Sequence, residues 1–487
     1  MAGMAARRDK RHARRTHPRR LSWLPELLVV ALLAAAGANA QYDLGRRWFG
    51  TDQGTVRSDP AAVRPPEGLD LVAGSVAGPV GTSSPGGRLD RAAVAAALAP
   101  YARDPRLGGH VSIEVRELGT GAVAYRRGAA SVVPASTMKL LTTTAALQTL
   151  GPMARFTTRV VATGNRVVLV GGGDPFLASR PIAGPRVYPV HADLRTLAQR
   201  TAAALKARSI RQVTLGYDAS LFTGPAVNPH WPDSYVPENV VPPISALWVN
   251  EGQEPTGRYT DDPAAAAGTA FATALRREGI AVRGAARERK APSQAVELAA
   301  VQSSPLGEIV QQTLAVSDNN AAEVIARHVG AAVAHDASSL GASAAVLKVL
   351  RGLGVDVTGS RVYDGSGLSR DNRLTPAVLT GVLRVAASKE HPRLREVITG
   401  LPVAGFTGSL QHRFDAGPAA ARGRVRAKTG TLTGVHGLAG IATDVQGNLM
   451  AFVLIADRVA VPNTLAARRD LDLMAAALGA CRCGVQE

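Results

Sequence analysis

The chain is poor in residues that staple, ligate or stack. Its 487 residues include 2 cysteines and 4% aromatic side chains, and only 7 of its 56 basic residues are lysines. The cysteines, Cys481 and Cys483, are too few for a disulfide scaffold or a structural zinc site. In an exported chain the two can bond to each other, but a bridge between positions i and i+2 is strained, so the pair carries no functional reading. The ten histidines show no H-E-x-x-H or comparable spacing, and neither a metal nor a cofactor is expected. Beyond the N-terminal segment no run reaches eighteen consecutive apolar residues, so no further membrane span is expected. Few aromatics and no recognisable binding module also argue against nucleic acid as a partner.

What is abundant is arginine. Against 38 Asp+Glu, the 56 basic residues give a formal charge of +18. Eight of them lie in the first twenty residues, beside Asp9 alone. An apolar run from Leu27 to Ala36 follows and ends at Ala38-Asn39-Ala40. A basic start, an apolar stretch and a small-x-small site make up an export segment, so residues 1–40 read as a cleaved signal or an uncleaved signal anchor. The rest of the chain is then expected outside the cytoplasm. The lysine shortage makes each lysine informative, because an amine can lose its proton near neutral pH whereas a guanidinium cannot.

Residues 41–88 are rich in Gly, Pro and Ser and read as a linker. A helix is expected over 89–103, a hairpin over 110–126 with its turn at Leu118-Gly119-Thr120-Gly121, and a helix from Pro134 to Leu150. Short β-rich runs with one Ala-rich helix at 194–206 mark 157–297 as an inserted region with its own small core. Helical patterns return over 306–333 and 338–353. Strands are expected at 424–428, 435–443 and 449–456, and a last helix at 463–478. The chain thus divides into 89–156 and 298–487, carrying the motifs below, around the insert.

Three motifs stand out. In Ser136-x-x-Lys139 the spacing puts both side chains on one helix face, so a neutral lysine amine can take the serine proton. Ser317-Asp318-Asn319 offers a second hydroxyl and an amide, and Lys428-Thr429-Gly430 offers a cation, a hydroxyl and a glycine on a strand edge where a peptide can lie alongside. Each alone reads as a helix cap, a helix boundary or a strand end. All three in one chain is roughly a one-in-a-hundred coincidence even before their order is required. They occur in the order known for penicillin-recognising serine enzymes, 181 and 111 positions apart.

Over about residues 90–480 the sequence resembles the class C low-molecular-mass penicillin-binding proteins, a family of serine-type D-alanyl-D-alanine carboxypeptidases and endopeptidases. The resemblance extends to Gly171-Gly172-Gly173-Asp174-Pro175, Pro243-Ile244-Ser245-Ala246-Leu247, Asp364-Gly365-Ser366-Gly367-Leu368-Ser369-Arg370 and Ala404-Gly405-Phe406-Thr407-Gly408-Ser409-Leu410. The long insert between the first two motifs is itself a family mark. The resemblance implies an α/β (α+β) fold: a discontinuous penicillin-binding-protein/serine β-lactamase-like catalytic domain with an antiparallel sheet and helices, carrying a β-rich insert.

It further implies that Ser136 attacks the bond between two D-alanines of a peptidoglycan stem peptide. Lys139 accepts its proton, and Ser317 with Lys428 passes a proton to the departing D-alanine. Asn319 binds the substrate backbone, and Thr429, Gly430 and Thr431 hold the C-terminal end. β-Lactams are implied as covalent inhibitors. A β-lactamase or esterase on the same scaffold is the nearest alternative, although no E-x-x-L-N occurs. A non-catalytic wall-binding protein is another, against which the intact motif residues argue. His436, just past the third motif, reads as a structural strand histidine.

Overall fold

The computed structural model describes residues 87–485 apart from 183, 185 and 186. The expected export segment, and the linker up to residue 86, lie outside these residues.

Two strands early in the chain, β1 (Val111–Glu117) and β2 (Val123–Gly128), join three late ones, β8 (Val425–Leu432), β9 (Val435–Thr443) and β10 (Leu449–Ala456). The sheet is antiparallel throughout, in the order β2-β1-β10-β9-β8. Strand β10 is almost wholly apolar because both its faces are covered. Ala451, Val453 and Ile455 enter one core, and Met450, Phe452, Leu454 and Ala456 enter the other. The second core is closed by α1 (Arg91–Leu98) and by the C-terminal helix Thr464–Ala480. Asp90 N–H donates to the Cys483 carbonyl at 2.8 Å, tying the start of the described chain to its end.

The first core is helical. Its central helix, α2 (Lys139–Leu150), is buried on every side from Lys139 to Leu147, with the hydroxyls of Thr142 and Thr143 donating to the Gly365 and Lys139 carbonyls. Around it pack α5 (Leu306–Val316), α6 (Asn319–Ala334), α7 (Ser339–Gly352) and α8 (Pro376–Ala387).

Between α2 and α5 the chain builds a second sheet from β3 (Thr157–Thr163), β4 (Arg166–Val170), β5 (Gln212–Asp218), β6 (Ala281–Glu288) and β7 (Val296–Gln302), in the order β6-β5-β4-β3-β7. Residue 297, the expected end of the insert, falls within β7. This sheet is mixed, since β4-β5 and β5-β6 are parallel. Parallel neighbours need crossover helices, and two are present: α3 (Leu194–Ala207) and α4 (Pro263–Arg277). The second was not foreseen. Its signals are ordinary, with Asp262 accepting from Ala265 N–H at 2.9 Å and Pro263 opening the first turn.

Cys481 and Cys483 form a disulfide across a Cα–Cα distance of 5.4 Å, within the range a disulfide spans. Helix Thr464–Ala480 ends just before Cys481 and the chain turns extended there, which brings the two side chains together.

Candidate active site

Ser136 sits in a single 3-10 turn, Ala135–Met138, that leads directly into α2. The turn begins from a left-handed Ala135 at φ 45°. Against it lies Gly367, at φ 88°, where an added Cβ would stand 1.9 Å from the Ala135 carbonyl oxygen. Only glycine permits this approach, and it sets the 364–370 loop against the serine turn.

Lys139 is fully buried. Its ammonium donates to Ser136 Oγ at 2.9 Å, Asn319 Oδ1 at 2.7 Å and the Ser366 carbonyl at 2.8 Å. Three acceptors match the three protons of an ammonium. Burial pulls its pKa down to about 8, while the nearby carboxyls of Asp318, Asp364 and Glu323 oppose the fall.

The Ser366 carbonyl is held in place from behind. Glu323 accepts from the N–H groups of Gly365 (3.0 Å) and Ser366 (2.8 Å). Asp364 accepts from Gly367 N–H, Ser369 N–H, Asn372 Nδ2 and Trp231 Nε1 at 2.6–3.0 Å. Deep burial raises the Glu323 carboxyl to about 7.

The second motif lies at a break between helices. Ser317 is left-handed, φ 64°, and ends α5; Asp318 accepts from Ala321 N–H at 2.9 Å and starts α6. This kink places Asn319 at the first turn of α6, facing Lys139. Asn320, next along, donates to Glu251 Oε2 at 2.9 Å and to Tyr259 Oη at 3.1 Å. Glu251 belongs to a run of three left-handed residues, Asn250, Glu251 and Gly252. Burial raises its carboxyl to about 8, and the adjacent Asp318 carboxyl raises it further. Asp318 is likewise raised, by burial.

The third motif lies on β8, the edge strand of the first sheet. Lys428 is fully buried and donates to the Thr429 carbonyl at 2.9 Å. Its pKa is well below the usual lysine value because it is desolvated and faces the cations Lys139 and Arg413. Thr429 Oγ1 lies 3.1 Å from Ser409 Oγ. An added Cβ on Gly430 would come within 2.8 Å of the Pro134 carbonyl, so glycine lets β8 approach the serine turn. Thr431 is exposed. His436 is buried opposite Thr431, with neither ring nitrogen hydrogen-bonded among the described residues, and its pKa is lowered by burial and by Arg468 and Arg413.

Ser136, Lys139 and Asn319 are thus joined by direct hydrogen bonds. Lys428 and Gly430 stand beside them through Lys139 and the serine turn. Ser317 adjoins this group through the Asp318-Asn319 backbone. Among the described residues no cluster of three or more His, Cys, Asp or Glu side chains is suited to a metal ion.

The sequence profile of the D-Ala-D-Ala carboxypeptidase 3 (S13) family matches residues 94–257 and 253–478. The chain belongs to this family. It is a serine-type D-Ala-D-Ala carboxypeptidase, with mixed α/β architecture and an extra domain on a penicillin-binding-protein/β-lactamase-like fold. Carboxypeptidase DacB of Mycolicibacterium smegmatis is 37% identical over 467 residues, which cover 94% of this chain and 96% of that protein. A carboxypeptidase of Mycobacterium tuberculosis is 38% identical over 406 residues, 80% of this chain and 85% of that one. The fold is similar to penicillin binding protein 4 from Haemophilus influenzae, with a TM-score of 0.62 and 20% identity over 79% of this chain and 98% of that one.

Participants around this carboxypeptidase site that were not foreseen include the Ser366 carbonyl, Asp364, Glu323, Ser409 and Glu251. Ser366 and Ser409 lie in segments that carry the family resemblance, so a signal existed without a role. Nothing in the local sequence marks Glu251 or Glu323, whose partners are distant in the chain.

Proposed function

We propose that Ser136 is the nucleophile of a D-alanyl-D-alanine carboxypeptidase acting on peptidoglycan stem peptides, with Lys139 as its general base. The observation that carries this reading is the buried Lys139 amine 2.9 Å from Ser136 Oγ, with a pKa of about 8. At pH 7 about one amine in ten is neutral and able to take the serine proton.

In this reading Ser136 Oγ bonds to the carbonyl carbon of the penultimate D-alanine and its proton passes to Lys139. The peptide C–N bond then breaks. Ser317 and Lys428 carry a proton to the departing amine, a step suited to a lysine whose own proton is held loosely by burial and like charge. The N–H groups of Ser136 and Thr431 receive the oxyanion, where such donors supply about 3 kcal/mol. Asn319 hydrogen-bonds the substrate backbone along β8, while Thr429 and Thr431 receive the terminal carboxylate. Water then splits the acyl-enzyme, and Ser136 recovers its proton. A β-lactam reacts at the same serine and stalls there.

The substrate places this chemistry outside the cytoplasm, and residues 1–40 are read as the export signal or anchor that takes the chain there. Product analysis tests the function. A stem pentapeptide should release one D-alanine per molecule, and Ser136→Ala should release none. Release of monomers from a cross-linked dimer would add endopeptidase activity. Rapid turnover of penicillin without D-alanine release would favour a β-lactamase.

A further inference from the structure

Helices α3 and α4 pack on one face of the second sheet, against Val167, Leu215 and Val282 among others. The strand register puts their neighbours on the opposite face. There Arg166 pairs with Thr214 and Thr214 with Arg283 in one rung, and Gly216 pairs with Arg287 in the next. The register shift between these rungs contains Gly284 at φ 70° and keeps Arg283 and Arg287 on the same side. An added Cβ on Gly216 would stand 3.0 Å from Arg289 Cβ, so glycine lets the Arg289 stem lie across β5.

Arg166, Arg283, Arg287 and Arg289 line a cleft of about 600 Å³ that has no acidic residue in its wall. All four are exposed. None of their guanidinium groups has an ion-pair or hydrogen-bond partner among the described residues. Two strand steps separate Arg166 from Arg283, about 10 Å, close to the screening length of physiological salt, so these charges repel one another until an anion arrives. Charge on the edge strand β6 would by itself be explained as a guard against strand pairing. That does not account for Arg166, which lies on the interior strand β4.

We propose that this cleft binds a polyanionic, phosphodiester-linked chain and so holds the carboxypeptidase against an anionic polymer. A guanidinium fork pairs with two phosphate oxygens, and guanidinium groups repeated along a cleft suit a ligand whose charge repeats. A lipid surface is a poorer fit. The cleft is concave, and none of the large exposed apolar side chains lies in its wall, whereas interfacial docking needs an apolar face.

The test is binding of fluorescent poly(glycerol phosphate) to the full chain at low and physiological salt. The four-site variant Arg166→Ser, Arg283→Ser, Arg287→Ser and Arg289→Ser is compared with a charge-matched control at the exposed Arg208, Arg277, Arg351 and Arg393. The wild type should bind with an affinity that falls steeply with salt. The cleft variant should lose at least tenfold, the control less than twofold, and both should hydrolyse pentapeptide like the wild type. No binding by the wild type, or equal losses in the two variants, would overturn the proposal. So would equal affinity for polyglutamate, or a cleft-dependent preference for phosphatidylglycerol vesicles over the polymer.

Discussion

Lys139 Nζ and Asn319 Oδ1 are 2.7 Å apart although 180 positions separate them in the chain. A neutral amide at this place accepts a hydrogen bond from the lysine without adding the negative charge that would hold its proton. Asn319→Asp should therefore push the Lys139 pKa up and move the rising limb of the pH–acylation profile to higher pH by more than one unit. Asn319→Ala should weaken pentapeptide hydrolysis without that shift. The check is the second-order rate of penicillin acylation from pH 6 to 10.

In the wild type the same profile should rise through about pH 8. The reactive form is the neutral amine, so the rate follows the deprotonated fraction and levels off above about pH 9. A profile flat across this range would remove Lys139 as the base.

Gly367 meets the Ala135 carbonyl at a distance no Cβ tolerates, in a backbone conformation that disfavours other residues. Gly367→Ala should cost about 3 kcal/mol of stability. It should also shift the Ser366 carbonyl from Lys139 and slow acylation by more than about tenfold. Chemical denaturation and acylation kinetics measure the two effects.

Glu251 has a folded pKa of about 8, far above that of an exposed carboxyl. The folded state therefore holds a proton that the unfolded chain loses near pH 4.5. Its contribution to stability is complete below that pH and is lost as pH rises through about 8. Glu251→Gln keeps the acceptor for Asn320 and removes the titration. It should stabilise the protein at pH 8.5 by about 1–3 kcal/mol and flatten the fall in melting temperature between pH 5 and 8.5.

How far this molecule was legible in its sequence depended on whether the signal was local. Ser136 and Lys139 are three residues apart, and one turn of backbone sets their distance. Lys428-Thr429-Gly430 lies on a strand whose start was foreseen, although the expected strand stopped at Lys428 and β8 runs on to Leu432. Strand β10 was visible as an apolar run because it is covered on both faces. Helix α4 was missed although Asp262 and Pro263 announce it, because β-rich neighbours dominated the reading of the insert. The Ser366 carbonyl could not be foreseen, since a backbone oxygen has no sequence signature. Glu251 acquires its meaning only when the fold brings it to Asp318 and Asn320.

The most direct test of the account is mass spectrometric mapping of the penicillin adduct. Wild-type protein treated with benzylpenicillin should carry one penicilloyl group, on the peptide containing Ser136. Ser136→Ala, folded to the same melting temperature, should carry none. A stable adduct on another residue, or undiminished labelling of Ser136→Ala, would contradict the assignment of the nucleophile.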